Sequence, residues 1–288
     1  MFDPRLLRAF VAIADTRSFT QAAERLHSTQ STVSQQLARL EQAVGQPLID
    51  RAARPVRLTA PGERLLGYAR RILALQQEAE TLLADRAGTA AIRIGVPEDI
   101  VTLPMSEIFA RFAERHREVR LDVTTGLSRD LDRRFRAGEF DIIVVKEAAA
   151  SMDNRASFPE DIGWFESAER ARQWTDPIPL VTFPPGGLYR EAMFERVERE
   201  RRSWYVAFTA TSLASVLTAV EAGLGLSLLP KRAAPGQKIR PYAGFGDEAA
   251  MVVSVYSWET SGLIGQLIGL IRSVLLDRYE ALRGPPGP

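Results

Sequence analysis

SFTQAAERLHSTQSTVSQQLARLEQAVGQPLIDRAARPVR, residues 18–57, decides the reading of this chain. It divides into two short helices meeting at a tight turn, the second longer than the first, followed by a small basic hairpin. In the second helix Val33, Leu37, Leu40 and Val44 recur at spacings of four, three and four, which makes one apolar stripe that must face a core. The opposite face carries Gln30, Ser31, Thr32, Ser34 and Gln35, uncharged donors and acceptors where a merely solvated helix usually carries Glu and Lys. Such side chains lie flat against base edges in a major groove. Ala22 and Ala23 in the first helix are small enough for the two helices to cross closely, as a helix-turn-helix requires. The plain alternative is a helical hairpin whose polar face happens to be short of charge.

The residues after the second helix favour the DNA reader. Gly45 suits a left-handed cap and Pro47 prevents continuation of the helix. Leu48 to Arg51 and Val56 to Thr59 read as two short strands, with Arg51, Arg54 and Arg57 near the tip. That is a wing, and its arginines suit phosphate or minor-groove contact. Ahead of the pair, residues 3–16 read as a supporting helix with Asp3 as cap, Pro4 in the first turn, and Leu6, Phe10 and Ile13 inward.

With the wing in place, the residues resemble the LysR-type transcriptional regulators. The match lies in LLRAFVAIADTRSFTQAAERL (6–26), STQSTVSQQLARLEQAVGQPL (28–48) and RLTAPGERLL (57–66), and again in GEFDIIVV (138–145) and AVEAGLGLSLLP (219–230). One departure stands at Ile49, Asp50 and Arg51, where that family places Phe, any residue, then Arg. The resemblance covers nearly the whole chain and is patchy from 146 to 203.

Composition bounds the rest. The 288 residues, 45% hydrophobic and 25% charged, suit a soluble globular protein of two or three cores. Net charge is only +1, so DNA contact must rest on local charge: residues 1–60 hold eight Arg against five acids. Zero cysteines remove disulfides, zinc ribbons and thiol redox sensing together. The apolar run from Ala9 to Ala14 is too short for a signal peptide and no membrane span is legible, so a cytoplasmic protein is expected.

Thr59 is expected to cap a long helix to about Asp85 in which Leu65, Ala69, Ile72, Gln76, Ala79 and Leu83 alternate spacings of four and three. That is the seam of a two-helix pairing; a monomeric chain could bury it against its own domain, whereas the polar Gln76 fits a contact between subunits with a fixed register. AGTAA (87–91) is a composition break and an expected hinge. Beyond it AIRIGV, VRLDVTT and FDIIVV alternate with amphipathic helices, and PIPLVTF, WYVAFTA, GLSLLP and AMVVSVYSW repeat the theme, which argues for parallel sheet covered on both faces. Residues 146–174 are less legible. The helix from about Ser261 to Leu282 ends before GPPGP.

The fold class is therefore α/β: an all-α winged helix-turn-helix (1–59) with a linker and dimerisation helix (60–86), a hinge (87–91), then a two-lobed periplasmic-binding-protein-like effector domain (92–288). Lobe I takes about 92–162 and 250–284, lobe II about 163–249. Ligands of such folds lie at strand C-termini and helix N-termini. Three loops should converge there and supply Glu98, Asp99, Thr102, Thr125, Ser128, Thr209, Thr211 and Ser212. The resemblance implies that these loops line the effector site; their hydroxyls at Ser128 and Ser212 equally suit helix caps. Glu98 and Asp99 point to an effector that is neutral or cationic.

An enzyme with an attached helical domain is the competing class. Its materials are poor: His27 and His116 are the two histidines, both expected to be solvated, and no G-x-S-x-G, H-E-x-x-H, P-loop or G-x-G-x-x-G occurs. An architectural DNA-binding protein that senses nothing leaves some 200 residues of clamp-like sequence without a purpose. No cofactor or metal is expected. As a regulator of the resembled kind, the chain is expected to bind an interrupted inverted repeat in double-stranded DNA as a dimer, or as a tetramer of two dimers. A small-molecule effector would shift that packing and so the contact with RNA polymerase.

Overall fold

A computed structural model describes residues 3–84, 90–170 and 173–280. They form two compact units, residues 1–90 with 134–139 and residues 91–133 with 140–288. The first unit opens with α1 (Pro4–Thr16), capped by the Asp3 carboxylate, which accepts the Arg5 N–H at 2.8 Å. Then come α2 (Phe19–Arg25) and α3 (Gln30–Val44), joined by a turn in which His27 is left-handed (φ 49°). Val33, Leu37 and Leu40 are fully buried against Leu7, Phe10 and Ile13 of α1 and Ala22 of α2. Complete burial of each of these α3 side chains stabilises the unit by roughly 1.5–3 kcal/mol.

Gly45 ends α3 at φ 75°, as a left-handed cap requires. The wing is β1 (Ile49–Asp50) antiparallel to β2 (Arg57–Leu58), with Ile49 opposite Leu58. α4 (Ala60–Ala84) follows. Thr59 fastens its start: its hydroxyl donates to Pro47 O at 2.7 Å and accepts the Gly62 N–H at 3.2 Å. The chain passes so closely here that a Cβ on Gly62 would stand 2.1 Å from Leu48 O.

The expected seam of α4 is corrected. Ala69 is fully buried and Leu65 half-buried in the winged-helix core, because the first half of α4 covers the open side of α1. Ile72 (36%) and Ala79 of the expected seam are exposed, joined by Tyr68 (62%) and Leu75 (46%) in place of Leu65 and Ala69. The Leu83 side chain, hinge residues 87–89 and the terminal GPPGP lie outside the described residues.

The second unit begins with β3 (Ala90–Val96), α5 (Leu103–Arg115), β4 (Val119–Thr125), α6 (Ser128–Arg136), β5 (Ile142–Glu147) and β6 (Ala156–Glu160). It continues with β7 (Ile162–Ser167), β8 (Ile178–Thr182), α7 (Leu188–Arg199), β9 (Trp204–Thr209), α8 (Leu213–Glu221), β10 (Ser227–Pro230) and β11 (Ile239–Pro241), and ends with β12 (Met251–Ser257) and α9 (Gly262–Glu280). One sheet has the order β4-β3-β5-β12-β6 and carries its own core with α5 and α9. The other lobe holds β10-β7-β11 and the pair β8-β9, linked through a bridge between Leu180 and Leu226, around a second core.

The sheets are mixed where parallel strands were expected. β3 and β5 run parallel, as do β8 and β9, but β12 is antiparallel to both β5 and β6, and β10 and β11 are antiparallel to β7. The cause is chain return: β6 and β12 lie where the chain leaves the first lobe and re-enters it. Asp141 closes β5 on β3, its carboxylate accepting the Arg93 N–H at 2.8 Å and the Arg93 Nε–H at 3.2 Å.

Candidate functional site

Two sites emerge, one in each unit. On α3 the side chains of Gln30, Ser31, Thr32 and Gln35 are exposed and Ser34 is half-buried, opposite the buried Val33–Leu40 ridge. Thr29 caps the helix: its hydroxyl accepts the Thr32 N–H at 3.2 Å and pairs with the hydroxyls of Ser31 at 2.9 Å and Thr32 at 2.8 Å. The Thr20 hydroxyl reaches Gln30 Oε1 at 3.5 Å and ties α2 to the first turn of α3.

The wing arginines are less free than their sequence suggests. Arg51 pairs with Glu41 at 2.8 Å and lies 5.7 Å from the Phe19 ring centroid. Arg54 donates to the carbonyls of Arg51 at 2.8 Å and Ala53 at 3.1 Å. Asp50, part of the departure from the family pattern, accepts the Ala52 N–H at 3.0 Å and so shapes the wing tip.

In the second unit a cavity of about 350 Å³ opens between the lobes. Five of the eight sequence-expected residues line it: Glu98, Asp99, Thr125, Ser128 and Thr211. Thr102, Thr209 and Ser212 do not. A 3-10 turn over Glu98–Ile100 buries Ile100 and carries Thr102 out to an exposed position at the start of α5. Thr209 is exposed at the end of β9, and Ser212 is a helix cap whose hydroxyl accepts the Ser215 N–H at 3.1 Å. Ser128 faces the cavity and also accepts the Lys146 N–H at 2.8 Å.

Residues 4–63 match the model described as the bacterial regulatory helix-turn-helix protein, lysR family, and residues 86–252 match the LysR substrate binding domain. The chain belongs to the LysR family. It is 32% identical over 230 residues to the HTH-type transcriptional regulator DgdR of Burkholderia cepacia, covering 80% of this chain and 78% of that one. It is 30% identical over 300 residues to a probable hydrogen peroxide-inducible genes activator of Mycobacterium avium, covering 94% and 96%. ArgP from Mycobacterium tuberculosis shares the fold with TM-score 0.56 at 23% identity, over 95% of this chain and 97% of that one. LysG from Corynebacterium glutamicum, solved with bound effector Arg, does so with TM-score 0.55 at 21% identity, over 96% and 98%. This LysR-type chain is thus a transcriptional regulator with a DNA-binding and an effector-binding domain, and not an enzyme.

The lobe cleft and the ion pairs behind it hold groups that the sequence did not reveal. Lys146, at the end of β5, lines the cavity with Tyr189 of α7. Its ammonium donates to Asp99 and, at 2.9 Å, to the Tyr189 hydroxyl. Arg278 of α9 approaches Asp99 at 3.4 Å and the fully buried Glu160 at 3.8 Å. Arg232 binds both oxygens of Glu160, at 2.9 and 3.1 Å. Burial works against the Asp99 charge, but Lys146 and Arg278 outweigh it and hold the carboxyl below its usual range. Burial pushes the Tyr189 phenol up to about 12, so it stays neutral and keeps a proton to donate.

Both acids expected to greet a cationic effector are engaged within the chain. Asp99 is held by Lys146 and Arg278, and Glu98 accepts the Leu213 N–H at the start of α8 at 2.6 Å. Across the cleft, Arg129 of α6 makes a bidentate pair with Glu191 of α7, both contacts at 2.7 Å.

Neither histidine joins the cleft. His27 is exposed in the helix-turn-helix turn. His116, expected in solvent, is largely covered, its ring 4.6 Å from that of Phe112. Among the described residues no group of three His, Cys, Asp or Glu could hold a metal, and no helix is long and apolar enough to cross a membrane.

Proposed function

We propose that this regulator works in the cytoplasm as a dimer, or a tetramer of two dimers, that reads an interrupted inverted repeat. In this reading Gln30, Ser31, Thr32, Ser34 and Gln35 meet base edges, and Arg51 and Arg54 hold backbone or minor groove. The functional blocks are 1–59, 60–86, 87–91 and 92–288. The observation that carries the reading is the exposed, uncharged polar edge of α3 opposite a fully buried apolar ridge.

The exposed Tyr68, Ile72, Leu75 and Ala79 stripe of α4 supports self-association. Two recognition helices one turn of DNA apart then read the two half-sites. An effector in the lobe cleft, touching Glu98, Asp99, Thr125, Ser128 and Thr211, biases the packing of effector domains. That shift changes the spacing or bend of the bound DNA and its contact with RNA polymerase.

Selection of bound fragments from the source genome tests this directly. The expected result is a shared inverted repeat, protected by footprinting as two half-sites about one helical turn apart. Binding with no preference over random duplex at moderate salt rejects it.

A further inference from the structure

We propose that residues 281–288, ALRGPPGP, dock in polyproline II form in a groove on the second lobe and so strap that lobe to α9 of the first.

The groove is separate from the lobe cleft. It holds about 670 Å³ and shares no lining residue with the cleft. The buried Trp164 and Phe165 of β7, the exposed Pro235 and Pro241 and the half-buried Tyr242 line it. This lining argues against an added strand as the occupant. β11 ends at Pro241, which has no N–H, and the next residue, Tyr242, donates its N–H to Trp164 O at 2.8 Å. What remains on offer is apolar and aromatic surface, edged by Lys231 and Asp247 at 3.8 Å from each other. Polyproline II segments meet aromatic grooves of this kind at low entropic cost, because their conformation is already set.

Residues 281–288 have the matching composition. Pro285, Pro286 and Pro288 bring no N–H that would need an acceptor, and Leu282 supplies an apolar anchor. Arg283 brings a cation to the fully exposed Asp247 carboxylate.

Reach is sufficient. The described chain ends at Glu280, two residues past Arg278. The Arg278 side chain stands 3.8 Å from Glu160, to which Arg232 is joined at 2.9 Å. Lys231 and Ala234, on either side of Arg232, line the groove, and Gly163, also in its lining, lies three residues beyond Glu160, about 10 Å along a strand. Eight residues in polyproline II form span about 25 Å, long enough to cross from α9 to the groove.

The two ends of this segment then lie on different lobes. α9 packs in the core of the first lobe, whereas the groove belongs wholly to the second. A docked tail therefore ties the lobes together outside the cleft and resists their opening.

The test compares hydrogen exchange, read by mass spectrometry, in the full chain and in a chain stopped after Glu280. Residues 231–247 are expected to exchange about fivefold faster in the shorter chain, as is the segment that holds the Leu213 N–H across the cleft. Two variants of the full chain, Asp247→Lys and Pro285→Glu with Pro286→Glu, are expected to reproduce the truncation. The peptide ALRGPPGP, added at millimolar concentration to the shorter chain, is expected to restore the protection of 231–247. Equal exchange in the two chains, or variants that behave as the parent, overturns the docking. Protection that grows with protein concentration assigns the tail to a second copy and overturns the contact within one chain. Faster exchange at 231–247 with the Leu213 segment unchanged overturns the strap.

Discussion

Glu41 of the recognition helix holds Arg51 of the wing at 2.8 Å, and with its other oxygen accepts the backbone N–H groups of Leu48 at 2.9 Å and Ile49 at 3.3 Å. One side chain thus fixes the wing to α3. Glu41→Ala leaves two backbone donors and a guanidinium without their acceptor, a loss of about 2–3 kcal/mol in stability of the winged helix. Because the wing is then loosely placed, affinity is expected to fall alike for operator and random DNA. Denaturant melts and fluorescence anisotropy read the two effects. A variant that melts normally and binds both duplexes normally removes Glu41 from this role.

Ser34 and Arg54 are expected to separate specificity from affinity. Ser34 sits beside the buried Val33 on the α3 edge, so Ser34→Ala is expected to relax selection at one position of each half-site, by about 1 kcal/mol. Arg54 folds onto the wing carbonyls but carries its charge at an exposed tip. Arg54→Ala is expected to weaken all sequences and to lower the salt slope of binding by about one counterion. Selections at several salt concentrations check both. Equal losses from the two variants on every duplex contradict this division of roles.

Legibility in the sequence followed locality. The Val33, Leu37 and Leu40 stripe, the cap at Gly45 and the strands beginning at Ala90 and Ile142 are set by neighbours within a few residues, and all are found. Strands β6 and β7 fall in the stretch that resisted reading, because their partners are β12 and β10, some sixty to a hundred residues away. Five cleft residues were recoverable because strand ends and helix starts converge by topology. The charged floor was not, since Glu160, Arg232 and Arg278 meet only in the folded chain. One local signal existed: Lys146 ends the apolar run IIVV, and it is one of three lysines in an arginine-rich sequence. A cation placed there by a buried strand needs a buried partner, and that requirement could have been read.

Variants in the α4 stripe are expected to separate self-association from folding. Ile72 and Leu75 are exposed on the helix, whereas Ala69 three residues earlier is sealed in the winged-helix core. Charges at both exposed positions, Ile72→Glu with Leu75→Glu, are expected to leave the melting temperature of the winged helix within a few degrees and to shift the protein to a smaller species in sedimentation. Operator affinity should fall with it, as two half-sites cease to be read together. Ala69→Glu buries a charge and is expected to unfold the unit instead, costing about 3 kcal/mol or more. An unchanged sedimentation coefficient in the double variant assigns the oligomer to another surface.

Alkaline stability reports the cleft floor. The Tyr189 phenol has an ordinary value of 10.0 and is pushed up to about 12 in the fold by burial. Between these values the unfolded chain has lost the proton and the folded chain keeps it, so the folded state holds more protons and stability falls as pH rises. For a shift of about two units the loss approaches 3 kcal/mol by pH 12. Lys146 acts in the same sense: burial opposes its charge, but Tyr189, Asp99 and Glu160 prevail and raise it, so its contribution too is lost at high pH. Urea midpoints of the effector domain are therefore expected to decline steeply above about pH 10. Tyr189→Phe removes one of the two groups, and its decline is expected to be shallower over the same window. Parallel declines for the variant and the parent contradict a neutral, buried phenol beside the Lys146 ammonium.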